Sequence, residues 1–211
     1  MYFRDRRDAG VVLSNYLTQY KDRSDVLVLA LPRGGVPVAY EIARDLNAPL
    51  DVFIVRKLGV PGHEELGMGA IATGGIRILH EGIIRELGIS AETIDAVTMK
   101  EQKELARREN LYRGDRPPAT IEGRIVIVVD DGLATGSTMK AALAALRQQH
   151  PIRLIVAVPT APAQTIEELQ NVADEVVCPL SPDPFYAIGG SYADFSQTTD
   201  EEVRDLISRS V

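Results

Sequence analysis

Tryptophan is missing from this sequence and cysteine occurs once, at Cys178. A lone thiol cannot close an internal disulfide, which excludes a disulfide framework and suits a reducing compartment, so a cytoplasmic location is expected. No apolar run reaches the roughly 20 residues of a membrane-spanning helix. The opening Met-Tyr-Phe-Arg-Asp-Arg-Arg has no hydrophobic stretch behind it of the length a signal peptide needs, and no membrane partner is expected. Positive charge is also in short supply. With 23 Lys and Arg against 30 Asp and Glu, the chain carries a formal net charge of −7, which argues against a nucleic-acid binder acting through its overall field. Any anionic ligand must be met by locally clustered cations. A Walker P-loop is excluded as well, because no Gly-x4-Gly-Lys-Ser/Thr occurs.

What remains is 211 residues, 45% hydrophobic and 25% charged, the make-up of one globular domain with a sizeable core. Its most informative stretch is residues 125–138. Ile125 to Val129 are all β-branched, which predicts a buried strand of a parallel sheet. The strand stops at Asp130-Asp131-Gly132, and Ala134, Thr135, Gly136, Ser137 and Thr138 follow with little side-chain bulk before a helix predicted over 139–147. Successive backbone N–H groups of such a turn can face inward at a helix N-terminus and cradle a phosphate. Two carboxylates beside a phosphate would repel it unless ribose hydroxyls or Mg²⁺ lie between them. Carboxylates accept hydrogen bonds from a diol, and Mg²⁺ is held by one or two carboxylates together with substrate phosphates. The stretch therefore asks for a sugar phosphate, with Asp130 and Asp131 as the candidate metal ligands.

The same strand, glycine turn and helix pattern occurs earlier. A strand over 26–31 leads through Pro32-Arg33-Gly34-Gly35 into a helix over 36–46, so two glycines admit a ligand and Arg33 offers a forked cation to phosphate oxygens. A third strand, 51–55, opens into residues 56–69, where Arg56 and Lys57 precede a Gly- and Pro-rich run containing Glu64 and Glu65. Such composition predicts a long mobile loop of functional use. A hairpin over 70–79, helices over 81–87 and 91–112, a strand over 154–158, a helix over 163–172 and a strand over 175–178 complete an open α/β alternation. Upstream, Leu13, Tyr16, Leu17 and Tyr20 predict an amphipathic helix over 9–20. Arg4, Asp5, Arg6 and Arg7 read as a solvated terminus without assigned function. Near the other end, Phe185, Tyr186, Tyr192 and Phe195 concentrate aromatic surface, which suggests a flat ligand.

Asp-Asp-Gly-Leu-Ala-Thr-Gly-Ser-Thr over 130–138 resembles the phosphoribosyl pyrophosphate signature of type I phosphoribosyltransferases, and three further stretches resemble the same family in the same order. Arg33-Gly34-Gly35 resembles its pyrophosphate loop, in which members often hold a non-proline cis peptide. Residues 56–69 resemble the lid of adenine phosphoribosyltransferases, one residue shorter before the proline. Residues 182–195 resemble the hood of hypoxanthine-guanine phosphoribosyltransferases, with Tyr186 at the stacking place beside Phe185 and Asp194 one residue further from Gly189 than the family spacing.

The resemblance implies an α/β fold, an open, mainly parallel and Rossmann-like twisted sheet flanked by helices, with a small C-terminal hood. It implies a single domain over 1–211, with a core over about 24–180 and hood elements from 1–8 and 181–211. The implied activity moves 5-phosphoribose from phosphoribosyl pyrophosphate to a nitrogenous base, a purine favoured, with Mg²⁺ and release of pyrophosphate, in a homodimer. Arg33, Gly34, Gly35, Asp130, Asp131 and Ala134 to Thr138 would bind the sugar pyrophosphate. Arg56 and Lys57 would stabilise the leaving group, Glu64 or Glu65 would act as general base, and Phe185 and Tyr186 would bind the base. Whether Arg113 or Arg116 reaches a neighbouring subunit's site is open. The rival reading is a non-catalytic regulator that keeps the pocket to sense the sugar pyrophosphate or a nucleotide.

Overall fold

The computed structural model describes residues 2–210. In chain order the elements are α1 (Arg6–Ser14), β1 (Val26–Ala30), α2 (Gly35–Leu46), β2 (Leu50–Val52), β3 (Val55–Val60), β4 (His63–Ala72) and β5 (Ile76–Leu79), then α3 (Glu81–Glu86), α4 (Ala91–Arg113), β6 (Ile125–Val129) and α5 (Ser137–Arg147), and finally β7 (Arg153–Ala157), α6 (Ala163–Gln170), β8 (Glu175–Val177) and α7 (Asp200–Arg209). Five strands form one parallel sheet in the order β2-β1-β6-β7-β8. The β-branched strand β6 is central and completely buried.

Strand alternation sends its side chains to two separate cores. Ile125, Ile127 and Val129 pack with Val38 and Ile42 of α2, Leu105 of α4 and Leu206 of α7. Val126 and Val128 pack with Met139, Leu143 and Leu146 of α5 and Leu169 of α6. Helices therefore cover both faces, and the carboxyl ends of β1 and β6 stand side by side, with Ala30 opposite Val129.

Three departures from the sequence expectations matter for the site. The N-terminal helix ends at Ser14 and does not run to residue 20, because Ser14 and Asn15 both turn their side chains back onto the Val11 carbonyl. Leu17 and Tyr20 remain buried through a short 3-10 turn, while Tyr16 is exposed. The strand expected over 51–55 divides: β2 ends at Val52, and β3 starts a second, antiparallel sheet in the order β3-β4-β5. The segment expected to be a long mobile loop is in fact the hairpin β3-β4. A register shift at Leu58, Gly59 and Val60 and a turn at Pro61-Gly62 absorb the glycines and the proline. The cores also gain α7, which the sequence reading left unassigned, through Val203, Leu206 and Ile207.

Arg113 is held within its own chain. Its guanidinium donates to the Asp51 carboxylate at 3.0 Å and to the Val52 carbonyl at 3.0 Å, and the pair is buried where α4 ends against the edge strand β2. Asp51 also accepts the Ala119 N–H at 2.9 Å. Removing one member leaves an unpaired buried charge, so Arg113→Ala is expected to lower stability by about 3–5 kcal/mol. Urea denaturation checks this through a lower midpoint at unchanged slope.

Candidate active site

The acidic pair leaves the carboxyl end of β6. Asp130 turns its carboxylate back to accept the Asp131 N–H at 2.8 Å, and Asp131 points towards the opening of α2. That opening is built for close approach: a Cβ added at Gly34 would stand 2.0 Å from an Asp131 carboxylate oxygen, and one at Gly35 would stand 2.6 Å from the Val129 carbonyl. The Pro32-Arg33 peptide bond is cis, as the resemblance implied. Arg33 is half-buried, and its guanidinium lies 3.6 Å from Asp200 at the start of α7. Asp200 in turn accepts the Tyr112 hydroxyl at 2.6 Å.

On the other side of the acidic pair, the turn 134–138 delivers its backbone to the N-terminus of α5. Gly136 adopts φ +67°, a left-handed conformation suited to glycine, and immediately precedes the helix. The Ala134 carbonyl is turned away and accepts the Thr165 hydroxyl at 2.6 Å. Thr135 Oγ1 accepts the Ser137 N–H at 3.4 Å, and Ala134, Thr135, Ser137 and Thr138 are exposed. The result is a solvent-facing set of amides at a helix N-terminus, competent to bind a phosphate.

The hairpin β3-β4 splits the four candidate residues it carries. Lys57 and Glu65 line a cavity of about 320 Å³ that Ser137 and Thr138 close from the side of α5, with His80 also on its wall. Arg56 and Glu64 line a different cavity, of about 300 Å³, with Lys100 and Glu101 of α4. Arg56 is engaged there by Glu101 at 2.6 Å. Successive residues of a strand project to opposite faces, which holds Arg56 on the α4 side, while the longer reach of Lys57 borders both cavities. Glu64 also has its pKa lowered, through backbone N–H groups of its own residue and of Gly62.

The hood brings a different set of aromatics to the acidic pair than the one singled out in the sequence. Phe185 and Tyr186 line an outer cleft of about 400 Å³ with Tyr2, Pro182 and Pro184, and Tyr186 is 90% exposed. Asp194 caps the Ser196 N–H at 2.9 Å. Tyr192 reaches inward instead, donating its hydroxyl to the Asp131 carbonyl at 2.5 Å and stacking on Phe195 at 4.9 Å. Burial, then the Asp131 charge, push the Tyr192 phenol far above its usual range, so it stays a donor.

Of the stretch expected to be a solvated terminus, Arg4, Asp5 and Arg7 are exposed, whereas Arg6 and the neighbouring Phe3 pack onto the hood. Phe3 pairs with Ser191 and Ala193 through backbone hydrogen bonds, and Arg6 donates to the Asp131 carboxylate at 2.7 Å while its guanidinium lies 4.0 Å over the Phe195 ring. No local signal in the sequence marks Arg6, since its partner lies 125 residues away.

The charge balance is uneven. Asp131 has Arg6, whereas Asp130 is pushed well above the usual carboxylate range by desolvation first and by Asp131 second. A carboxyl whose native pKa is raised contributes stability at low pH, and that contribution is lost as pH rises through the native value. Asp130→Asn is therefore expected to raise the Tm of the metal-free protein at neutral pH. The advantage should vanish below the ordinary aspartate range, where both states are protonated, and Tm measured across pH checks this.

The geometry can be set beside known proteins. A family model described as phosphoribosyl transferase domain matches residues 8–195. Two Mycobacterium tuberculosis proteins, from strains H37Rv and CDC 1551 and named provisionally as phosphoribosyl transferases, are 45% identical over 208 residues, covering 99% of this chain and 47% of theirs. The chain thus spans about half the length of the curated relatives it matches. The crystal structure of TT1426 from Thermus thermophilus is 41% identical, covers 99% of each chain and superposes with a TM-score of 0.88. With the acidic pair, the glycine approach and the helix-capped turn in one place, and a family model spanning most of the sequence, the chain belongs to the phosphoribosyl transferase domain family.

Proposed function

We propose that this chain transfers 5-phosphoribose from phosphoribosyl pyrophosphate to a ring nitrogen of a small base, a purine favoured, and releases pyrophosphate. The observation that carries the reading is the acidic pair standing between the glycine opening of α2, with Arg33 beside it, and the turn that opens α5. A ribose diol fits the carboxylates, the 5-phosphate fits the α5 turn, and the pyrophosphate fits the α2 side beside Arg33.

The donor set also suits Mg²⁺. Among the described residues no cluster of three or more His, Cys, Asp or Glu forms a metal cage. A divalent ion would therefore share Asp130 and Asp131 with substrate oxygens, as Mg²⁺ commonly does. Two adjacent carboxylates with Arg6 on only one of them favour such an occupant. Bound there, Mg²⁺ supplies charge stabilisation for the departing pyrophosphate.

The chain's own groups do the rest. Departure of pyrophosphate leaves oxocarbenium character on the ribose, and carboxylates close to the ring stabilise it, as in glycoside cleavage. Arg33 and Lys57 face the anionic leaving group and phosphate, and the α5 amides hold the 5-phosphate so that the anomeric carbon is fixed against the incoming nitrogen. Glu65, in the same cavity as Lys57, is placed to take the proton that the base gives up; Glu64, on the other face of the hairpin, is not. Tyr192 and Phe195 keep the hood seated over the acidic pair.

Pyrophosphate release in the presence of Mg²⁺, phosphoribosyl pyrophosphate and a panel of purine and pyrimidine bases tests the reading. Release is expected with one base or a few, and Asp130→Asn with Asp131→Asn should lower it about a hundredfold or more. Gly34→Ala should cost about a hundredfold by displacing Asp131. Absence of release with every base would defeat the proposal.

Turnover should also discriminate the two glutamates of the hairpin. Glu65→Gln is expected to slow kcat by about a hundredfold, within the usual range for a general base, whereas Glu64→Gln leaves it near wild type. Equal effects would remove Glu65 from that role.

A further inference from the structure

Both charged poles of the site are already occupied by the chain itself. Arg6, at the start of α1, donates to Asp131 at 2.7 Å with both side chains close to nine-tenths buried. Asp200, at the start of α7, lies 3.6 Å from Arg33, each side chain 37% exposed. One contact puts a cation on the carboxylate, and the other puts an anion on the pyrophosphate loop. Each comes from a terminal segment, one ahead of the sheet and one behind it.

These contacts are held in place by structure that otherwise has no need of them. Arg6 is sandwiched by the Phe195 ring and donates a further hydrogen bond to the Ser196 carbonyl at 2.6 Å, which fixes its fork above Asp131. Asp200 is steadied by the Tyr112 hydroxyl of α4, so the carboxylate that meets Arg33 is tethered to two helices. Neither residue is needed to close a core. Each carries the sign of charge that a bound ligand would bring to the same partner.

We infer that Arg6 and Asp200 are built-in counter-ions of the substrate site, standing in for the divalent cation at Asp131 and for the pyrophosphate at Arg33, and that they are exchanged for these when ligand binds. The inference rests on the phosphoribosyl-transfer reading. Its consequence is specificity by competition. An occupant that brings only negative charge gains Arg33 at the loss of Asp200 and does nothing for the acidic pair, whereas a metal-complexed sugar pyrophosphate replaces both contacts at once.

The two poles can be probed separately with ligands that carry no reaction. Isothermal titration of Mg²⁺ alone reads the acidic pole, and titration of inorganic pyrophosphate alone reads the basic one. Arg6→Gln is compared with Arg7→Gln, which removes the same charge from the same helical turn at an exposed residue. Asp200→Asn is compared with Glu201→Gln, which removes the neighbouring acid of α7.

Arg6→Gln should bind Mg²⁺ about five- to tenfold more tightly than Arg7→Gln, and Asp200→Asn should bind pyrophosphate about two- to fivefold more tightly than Glu201→Gln. Arg6→Lys, which keeps the charge and loses the fork, should fall between wild type and Arg6→Gln; it serves as the readable variant if Arg6→Gln folds poorly. Binding by wild type with no tightening beyond the controls, or with weakening in Arg6→Gln or Asp200→Asn, would overturn the exchange and leave the transferase reading standing. Failure of wild type to bind pyrophosphate at millimolar concentration, with or without Mg²⁺, would overturn the transferase reading and the exchange with it.

Discussion

Two carboxylates on consecutive residues at the end of a dry strand set the constraint that the rest of this molecule answers. A free surface would tolerate Asp130 and Asp131 at little cost. Here they stand at the end of a central strand whose five residues are fully buried, so desolvation and mutual repulsion act together. The chain answers with local backbone, the Asp131 N–H donating to Asp130, and with distant side chains, Arg6 on the carboxylate of Asp131 and Tyr192 on its carbonyl. Among the described residues Asp130 receives no such cation, and the proposed reaction assigns a ligand to this place.

Legibility followed sequence distance. The strand β6, the turn after it and the loop before α2 were readable because each is a local grammar: β-branched residues, then polar or small residues, then a helix. The α/β alternation and its parallel sheet followed from the same pattern. Arg6 was not readable as a site residue, because nothing within its own helix distinguishes it from Arg7; only the fold brings it to Asp131. The helix α7 did leave a local trace, Thr199 accepting the N–H of Glu202 ahead of Val203, Leu206 and Ile207 at helical spacing.

The hairpin β3-β4 shows where composition misleads. Glycine and proline in number suggest a loop, yet a bulge and a tight turn accommodate them within two paired strands. Once the segment is a strand, adjacency in sequence means opposition in space. Arg56 and Lys57 look like a pair of leaving-group cations; strand alternation commits Arg56 to Glu101 of α4, while Lys57 borders that cavity and also the one closed by the α5 turn. The same separation sorts Glu65 from Glu64. In the hood Tyr192 is the inward aromatic, with the more exposed Phe195 stacked on it and against Arg6, and the more conspicuous Phe185-Tyr186 pair lines an outer cleft.

The net charge of −7 now has a physical place in the account. Under the proposed reaction, an acidic protein that binds a polyphosphate cannot rely on its overall field, so affinity would come from short-range contacts and from a metal carried with the substrate. Parallel-strand ends would supply the short-range part through backbone amides at the helix N-termini that follow them. Opposite charges lent by the two termini hold the remaining side chains in register while no ligand is present. On the proposed exchange, selectivity follows from the demand that an occupant match both poles, since a ligand of a single charge sign leaves one internal contact broken and uncompensated.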